Sequence, residues 1–508
     1  MAKKKGERHS EKEPHRPAEC DLDGGYQFPI RTLKDLTLEN IRAGITYSRY
    51  AQALLILTII GLFLRFYNLG YNSLWLDEAS TYTISVNSFS RIWQTTAAGE
   101  FNPPLFYWIE HVMLMFGNSE AILRFIPAVV GILSIPLIYC VGREFMDRNV
   151  GIIAAAAFAF SPFLIYYSQE ARAYSMMLFF VAFAMIFYLK ALKDNRIRNW
   201  VLFGLFSALA FWSHFYAFAI IASLVLYALA VQITDFRRNI KKIGMVVLSA
   251  VVFAVVCLPL IIIAIPLFAT RTASAPTFGV EGFDVIYQTF LQVAGFNELV
   301  MYLLLVLFIA GIIQAFLIDR NKCWFLVSLT ILTFVISIFL SYRMPMVPRY
   351  LIFFAAVFFI GVAASYQLLY SLVNNRGVVY GFLVVMVILN APMLIDYYSG
   401  YSKDDWRGFS TQMQQTAKPG DFIVLVPGYI SQPFDYYYTN STFGTIEFGA
   451  TTAKDLNAID AQKANNTIYY IVTTDIYSAN PAGDALAWLK NNTKPVGQDT
   501  GIALFVSR

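Results

Sequence analysis

Eleven apolar segments, each close to the length that a helix needs to cross a bilayer, constrain this 508-residue chain more than any other feature. A spanning helix requires about 20 mainly apolar residues, within a range of about 17–25. Hydrophobic residues make up 57% of the chain and charged residues only 14%, whereas an average soluble domain has about 25% charged residues. The sequence therefore predicts an α-helical polytopic membrane protein with these spans: 50–67, 122–142, 150–168, 173–191, 199–214, 216–234, 243–264, 298–318, 323–341, 350–372 and 377–396.

The distribution of positive charge supports both this count and an orientation. The polar break Ser213-His214-Phe215-Tyr216 divides an apolar run that is too long for one helix. With the N-terminus inside, thirteen Lys and Arg residues fall in the short inner loops 143–149, 190–198, 235–242, 319–322 and 373–376. Only seven arginines fall on the much longer outer segments that precede the C-terminal region. This asymmetry follows the positive-inside rule, so we expect a cytoplasmic N-terminus and a multi-pass protein of the cell (plasma) membrane.

Three regions are predicted along the chain. Residues 1–49 form a polar cytoplasmic tail without a cleavable signal peptide, because the first apolar run begins only at Ala51. Residues 50–396 form the transmembrane domain, whose first outer loop, 68–121, is expected to contain an interfacial helix at Leu105–Phe116. Residues 397–508 alternate polar helices with short apolar strands, expected at Phe422–Val426, Thr467–Thr473 and Ala503–Val506, which predicts a small extracytoplasmic α/β domain. Three Asn-x-Ser/Thr sequons agree with that location: Asn440, Asn465 and Asn491.

Two classes of partner receive no support from the sequence. The four cysteines lack metal-ligand spacing and are interpreted as small buried hydrophobic residues: Cys20, Cys140, Cys257 and Cys323. No basic stripe with interleaved aromatic residues is present, so a nucleic-acid partner is not expected.

Two adjacent carboxylates, Asp77 and Glu78, follow the first span. They could simply stabilise the N-terminus of a helix through Ala79–Val86, because acidic residues favour that position. They could instead act in catalysis, where one carboxylate accepts a proton from a hydroxyl group and its neighbour positions or tunes it. Position alone does not separate these two interpretations.

Further polar residues are predicted on the same outer face. Glu170 and Arg172 lie in a short turn between the third and fourth spans, and His214 lies in the break between the fifth and sixth. Arg343, Arg349 and Tyr350 precede the tenth span, where a guanidinium can bind a phosphate through two parallel hydrogen bonds. The alternatives are a paired surface turn, an interfacial histidine and an anchor to anionic headgroups. Because these titratable groups gather on one membrane face, we expect a substrate site fed from the bilayer.

Four short motifs carry a family resemblance. They are Leu74-Trp75-Leu76-Asp77-Glu78, Asn102-Pro103-Pro104-Leu105-Phe106-Tyr107-Trp108, Tyr167-Ser168-Gln169-Glu170-Ala171-Arg172 and Pro348-Arg349-Tyr350. By their order and spacing over residues 50–396 the chain resembles GT-C-class membrane glycosyltransferases that use a polyprenyl-phosphate sugar. Within that class it resembles the protein O-mannosyltransferases and the aminoarabinose transferases.

The resemblance implies inverting transfer of a sugar from a polyprenyl-phosphate donor to a hydroxyl group of a protein, glycolipid or lipid-linked glycan. Asp77 then matches the loop-one aspartate of the family, and Arg349 the arginine that contacts phosphate. Asn102 stands where aminoarabinose-type relatives often have a lysine, which leaves the phosphate more dependent on Arg349, Arg172 or Arg343. No resident metal is expected, although the Asp77-Glu78 pair could hold a divalent cation as in oligosaccharyltransferase relatives.

Two other functions are compatible with a polytopic chain. A flippase or transporter of lipid-linked sugars would more often bury charges at mid-membrane and show repeated halves. Here the charges lie at the outer ends of the spans, and no internal repeat is visible. A receptor-like protein with a ligand-binding C-terminal domain would leave those polar outer turns unexplained.

Overall fold

The structure is a computed structural model, and it describes residues 21–24, 37–233, 236–273, 275–276, 278–400, 403–462 and 466–507. Most of the predicted polar tail, Cys20, Asn465 and the Asn440 side chain lie outside the described part.

All eleven segments that were predicted to span the membrane are helical. The helices are Arg49–Phe66, Phe125–Phe145, Arg148–Phe160 with Pro162–Ser168, Tyr174–Asp194, Ile197–Ser213, Ala217–Ile233, Phe236–Arg271, Glu298–Ile318, Arg320–Ser341, Phe354–Ala364 with Tyr366–Val373, and Gly377–Ser399. Among the described residues, eight helices are long and apolar enough to cross a membrane, or nine if one bent pair forms a single span. The count of eleven stays a prediction. Ile197–Ser213 and Ala217–Ile233 have 17 residues each, which is the lower limit of the length that can span a bilayer.

The bent pair lies directly beneath one of the predicted site turns. Helices Arg148–Phe160 and Pro162–Ser168 meet at 61° across Ser161. Pro162 has no N–H to donate and is tolerated at the start of a helix, where the Ser161 hydroxyl accepts a hydrogen bond from the Leu164 amide. The turn that follows is held to the end of the first span. The side-chain amide of Gln169 donates to the carbonyls of Leu64, Arg65 and Tyr67 at 2.8–3.3 Å.

The first outer loop consists mainly of short helices: Leu76–Ser85, Phe89–Ala97, Leu105–Met113 and Glu120–Leu123, with a 3-10 turn at Leu114–Phe116. The helix expected at Leu105–Phe116 is therefore present, and it ends in that 3-10 turn. Other outer segments contribute a helix at Asp284–Val293 and the 3-10 turn Pro348–Leu351, which carries Arg349 and Tyr350.

The C-terminal region is an α/β domain with one five-stranded sheet. The strands are β1 (Phe422–Val426), β2 (Ile446–Gly449), β3 (Ile468–Thr473), β4 (Thr493–Asp499) and β5 (Ile502–Ser507), in the order β2-β1-β3-β5-β4. β1 pairs in parallel with β2 and β3, whereas β5 is antiparallel to β3 and β4. Helices and a 3-10 turn surround the sheet: Trp406–Thr416, Gly428–Ile430, Ser431–Tyr437, Asn440–Phe443, Ala453–Asp460, Ile476–Ala479 and Asp484–Asn492. The central strands β1 and β3 are buried on both faces by two apolar clusters.

This domain is docked on the first outer loop. The Arg407 guanidinium forms an ion pair with Glu120, and the Ser73 hydroxyl donates to Asp405 at 2.8 Å. The Leu74 amide donates to the Tyr437 hydroxyl at 2.8 Å. These contacts reach the residues immediately before Asp77, so the domain supports the helix that carries the paired carboxylates.

Candidate active site

Asp77 and Arg349 form an ion pair at the outer ends of the spans. The Asp77 Oδ2 and Arg349 Nη2 atoms are 3.2 Å apart, and the two side chains are 26% and 21% exposed. Asp77 lies in the first turn of helix Leu76–Ser85, and Arg349 in the turn Pro348–Leu351, 272 residues further along the chain. The pair joins two predicted site residues and leaves both partly exposed.

Aromatic groups and a second arginine hold this pair in place. Arg349 Nε donates to the Tyr174 hydroxyl at 3.1 Å, and its guanidinium carbon lies 5.4 Å from the Trp75 ring. Burial works to lower the pKa of Arg349, but Tyr174 and Asp77 raise it well above its ordinary value. Arg172 Nη1 donates to the Asp77 carbonyl at 3.2 Å, which fixes the backbone of the carboxylate.

His214 and Tyr350 form an aromatic wall beside the ion pair. The His214 ring lies 5.5 Å from Tyr174 and 5.1 Å from Tyr350, and its Nδ1 accepts a hydrogen bond from the Tyr216 amide. Burial lowers the pKa of His214 to about 3, with the charges of Arg172 and Arg349 adding to the effect. The imidazole is therefore neutral at physiological pH and suits hydrogen bonding rather than acid catalysis.

Glu78 points away from Asp77, as expected for neighbours on a helix, which diverge by about 100°. It is fully buried and accepts two hydrogen bonds of 2.7 Å from Arg124, one of 3.0 Å from Lys403 and one of 2.8 Å from the Ala171 amide. Burial alone would raise the pKa of Glu78, but Arg124 and Lys403 lower it to about 2. Of the two catalytic carboxylates predicted from sequence, the structure thus places Asp77 in the site and Glu78 behind it.

Glu170 is also behind the site rather than at the predicted donor contact. Its carboxylate is fully buried, neither oxygen has a hydrogen-bond partner among the described residues, and Lys403 Nζ lies 3.8 Å from Oε2. Burial raises the pKa of Glu170 to about 7, although Lys403 opposes the shift.

A cavity of about 490 Å³ is lined by Tyr350, the residue after Arg349, and by residues of the apolar helices. Its wall is almost entirely apolar and comes from helices Ile197–Ser213, Ala217–Ile233 and Phe236–Arg271. Polar groups gather at its outer end: Asn102, His214, Tyr216, Arg271 and Tyr350. An apolar cavity that is also lined by cationic and hydrogen-bonding groups suits a lipid with an anionic head.

The remaining predicted residues divide between the cavity and the surface. Asn102 is buried, hydrogen-bonds to Glu100 at 3.3 Å and lines the cavity. Arg343 is exposed and takes part in no ion pair of the described chain. Sequence reasoning left Arg124, Arg271 and Lys403 without a role. The predicted outer location of Arg124 and Arg271 could have marked both as candidate site residues. Nothing in the sequence distinguishes Lys403 in this way.

The described residues hold no group of three or more His, Cys, Asp or Glu that could bind a metal ion. The divalent cation suggested for the Asp77-Glu78 pair does not fit these residues. Glu78 is saturated by Arg124, Lys403 and a backbone amide, and Asp77 is left as a single carboxylate paired with Arg349. No step of the chemistry below is therefore assigned to a metal.

Comparison with known sequences gives two matches. Residues 102–263 match the family described as dolichyl-phosphate-mannose-protein mannosyltransferase. An uncharacterized protein from Aquifex aeolicus (strain VF5) is 28% identical over 145 residues, an alignment that covers 26% of this chain and 28% of that relative.

Solved structures match over far more of the chain. ArnT from Cupriavidus metallidurans, bound to undecaprenyl phosphate, has a TM-score of 0.56 at 14% identity, covering 89% of this chain and 97% of that one. The oligosaccharyltransferase from Archaeoglobus fulgidus, in complex with zinc and sulfate, has a TM-score of 0.55 at 16% identity, covering 89% and 72%. The archaeal oligosaccharyltransferase AglB from the same organism, with an inhibitory peptide and a dolichol-phosphate, has a TM-score of 0.53 at 15% identity, covering 91% and 75%. At these identities the likeness concerns the fold, and the chain has the fold of the GT-C membrane glycosyltransferases.

Proposed function

We propose that this protein is an inverting glycosyltransferase that moves a sugar from a polyprenyl-phosphate donor to a hydroxyl acceptor on the extracytoplasmic face. The observation that carries the proposal is the accessible Asp77–Arg349 pair, 3.2 Å across. Arg349 is the sequence neighbour of Tyr350, and Tyr350 lines an apolar cavity. ArnT, which shares the fold, binds undecaprenyl phosphate, a donor carrier of this chemical class.

The apolar cavity would receive the first part of the polyprenyl chain, and its polar end would receive the phosphate. Arg349 is the main phosphate ligand in this arrangement, because its guanidinium is held by Tyr174 and still faces the outside. Neutral His214, Asn102 and Tyr350 would complete the headgroup site with hydrogen-bonding and aromatic groups. Arg343, exposed on the turn, is not included.

Asp77 is proposed as the general base. The acceptor oxygen attacks the anomeric carbon as its proton passes to the Asp77 carboxylate. The bond between that carbon and the phosphate oxygen breaks, and the lipid phosphate leaves with the electron pair. Attack opposite the leaving group inverts the anomeric centre. The 3.2 Å Asp77–Arg349 pair must therefore open, so that the base and the phosphate ligand lie on opposite sides of the anomeric carbon. Arg349 stabilises the charge that grows on the departing phosphate, so its interaction is strongest in the transition state.

Arg172 and Glu78 would support this chemistry without touching the substrate. Arg172 holds the Asp77 carbonyl, and Glu78 fixes the same helix through Arg124 and Lys403. The proposed extracytoplasmic location of the reaction rests on the excess of Lys and Arg in the predicted inner loops. By the positive-inside rule, Asp77 and the C-terminal domain are expected on the opposite face.

Sugar transfer by purified protein tests the proposal. A panel of radiolabelled polyprenyl-phosphate sugars would be offered with peptide, glycolipid and lipid-linked glycan acceptors. Wild type should transfer at least one sugar with inversion, and Asp77→Asn should lower the rate by about 10²–10⁴-fold, the contribution of a positioned base.

Asp284→Asn is the matched control, since Asp284 is an exposed acid in the first turn of another outer helix. It should leave the rate unchanged. Wild-type turnover by Asp77→Asn would remove Asp77 from the mechanism, and donor binding without transfer to any acceptor would favour a carrier of lipid-linked sugars.

A further inference from the structure

One basic side chain of the C-terminal region enters the protein beneath the catalytic loop. Lys403 lies between helix Gly377–Ser399 and helix Trp406–Thr416, and its side chain is only 3% exposed. Its ammonium nitrogen is 3.0 Å from Glu78 Oε2, 3.8 Å from Glu170 Oε2 and 5.3 Å from the centre of the Tyr166 ring. Three separate parts of the chain therefore meet at this one cation.

Two buried acids and two buried bases lie together around Lys403. Glu78 has two buried cations as partners, Arg124 and Lys403. Glu170 has one ion-pair partner within the described chain, and that partner is Lys403. With both glutamates ionised, the two acids and the two bases sum to zero. Removing the ammonium would leave Glu170 without its cation, so the carboxylate would either remain as an uncompensated buried charge or take up a proton. In both cases the link between Glu78 and Glu170 through Lys403 is lost.

Both glutamates belong to elements that position Asp77. Glu78 is the next residue on helix Leu76–Ser85, and Glu170 lies two residues before Arg172. Arg172 donates to the Asp77 carbonyl at 3.2 Å, and the amide of Ala171, between them, donates to Glu78 at 2.8 Å. Lys403 thus connects helix Leu76–Ser85, which carries Asp77, to the turn that contains Arg172, which holds the Asp77 backbone.

We infer that Lys403 is a positioning residue for Asp77, so that the C-terminal domain completes the active site. This inference rests on the proposed glycosyl transfer. Its consequence is that the rate of transfer depends on a residue that touches neither donor nor acceptor.

Three variants test the inference. Lys403→Met should lower kcat by about 10²-fold, the cost of a displacement of the base of about 1 Å, while the donor KM changes little because Arg349 is untouched. Lys403→Arg keeps the charge and should recover part of the rate. Lys403→Met/Glu170→Gln removes one charge of each sign and should recover more of kcat than Lys403→Met shows.

Arg407→Ala is the matched control. Arg407 also links the domain to the first outer loop, through Glu120, but its side chain is 41% exposed. An exposed ion pair contributes about 0–1 kcal/mol, so this variant should lower kcat by about fivefold at most. An equal loss in Arg407→Ala and Lys403→Met, unrelieved by Glu170→Gln, would reduce Lys403 to a docking contact and overturn the inference.

Wild-type kcat in folded Lys403→Met would also overturn it. If Lys403→Met does not fold, Lys403→Arg decides: a lower kcat with an unchanged Tm supports positioning, and a wild-type kcat refutes it. Absence of transfer by the wild type itself would instead refute the proposed function. In that case the charge balance can still be measured without any donor. Lys403→Met/Glu170→Gln should then have a higher Tm than Lys403→Met.

Discussion

Replacement of Arg349 tests the donor site most directly. Arg349→Ala removes the guanidinium that pairs with Asp77 and bonds to Tyr174. A hydrogen bond to a charged group contributes about 1.5–3 kcal/mol. Donor binding must first give up the Asp77–Arg349 pair, which is partly exposed and therefore contributes only about 0–1 kcal/mol. The remaining free energy of about 0.5–3 kcal/mol corresponds to about two- to 150-fold weaker binding of a polyprenyl phosphate.

The assay is titration of undecaprenyl phosphate against detergent-purified wild type, Arg349→Ala and Arg349→Lys. Lysine should recover only part of the affinity, because an ammonium cannot form two parallel bonds to phosphate. Arg343→Ala is the matched control, an exposed arginine of the same outer segment, and should bind like wild type. Equal affinities in all four proteins would assign Arg349 to headgroup anchoring. A loss confined to Arg343→Ala would move the phosphate site to that residue.

Three further outcomes follow from the same geometry. Glu78→Gln should lower the free energy of unfolding by about 3–5 kcal/mol, since Arg124 loses its carboxylate partner and Lys403 keeps only the longer contact to Glu170. Denaturant unfolding beside wild type measures this. Folding raises the pKa of Glu170 from 4.5 to about 7, so the folded state holds this proton more tightly. Glu170 therefore contributes to a fall in wild-type Tm as pH rises from 4.5 through 7, and Glu170→Gln should show a smaller fall. Proteolysis of sealed right-side-out vesicles should release fragments of 397–508 and spare the N-terminal tail; the reverse pattern would mean inverted topology.

Local sequence signals predicted most of the fold. The spans follow from runs of apolar residues, and β1 was expected at Phe422–Val426, where the structure has it. β2 and β4 were missed because they are the edge strands of the sheet. β2 has only four residues, and β4 contains Pro495 and Gly497, which interrupt the alternation that marks a strand.

The site was predictable only in part, because its assembly is tertiary. The outer location of Asp77, Arg172, His214 and Arg349 could be read from the order of spans. The orientation of the two adjacent carboxylates could not be predicted, since only the fold decides which one pairs with Arg349. Lys403 lies 325 residues from Glu78 along the chain, and no local pattern relates the two.

The Asp77–Arg349 pair implies that, in the proposed reaction, the donor binds before Asp77 becomes available as a base. Without a donor, each group neutralises the other, so the base is held by the cation that the phosphate needs. The phosphodiester of the donor carries one negative charge and two free acceptor oxygens, as the Asp77 carboxylate does, and can therefore compete with it for the Arg349 guanidinium. Its arrival would release Asp77 beside the anomeric carbon at the moment when a base becomes useful. Arg172 would keep the released carboxylate in place, because it holds the Asp77 backbone rather than its side chain.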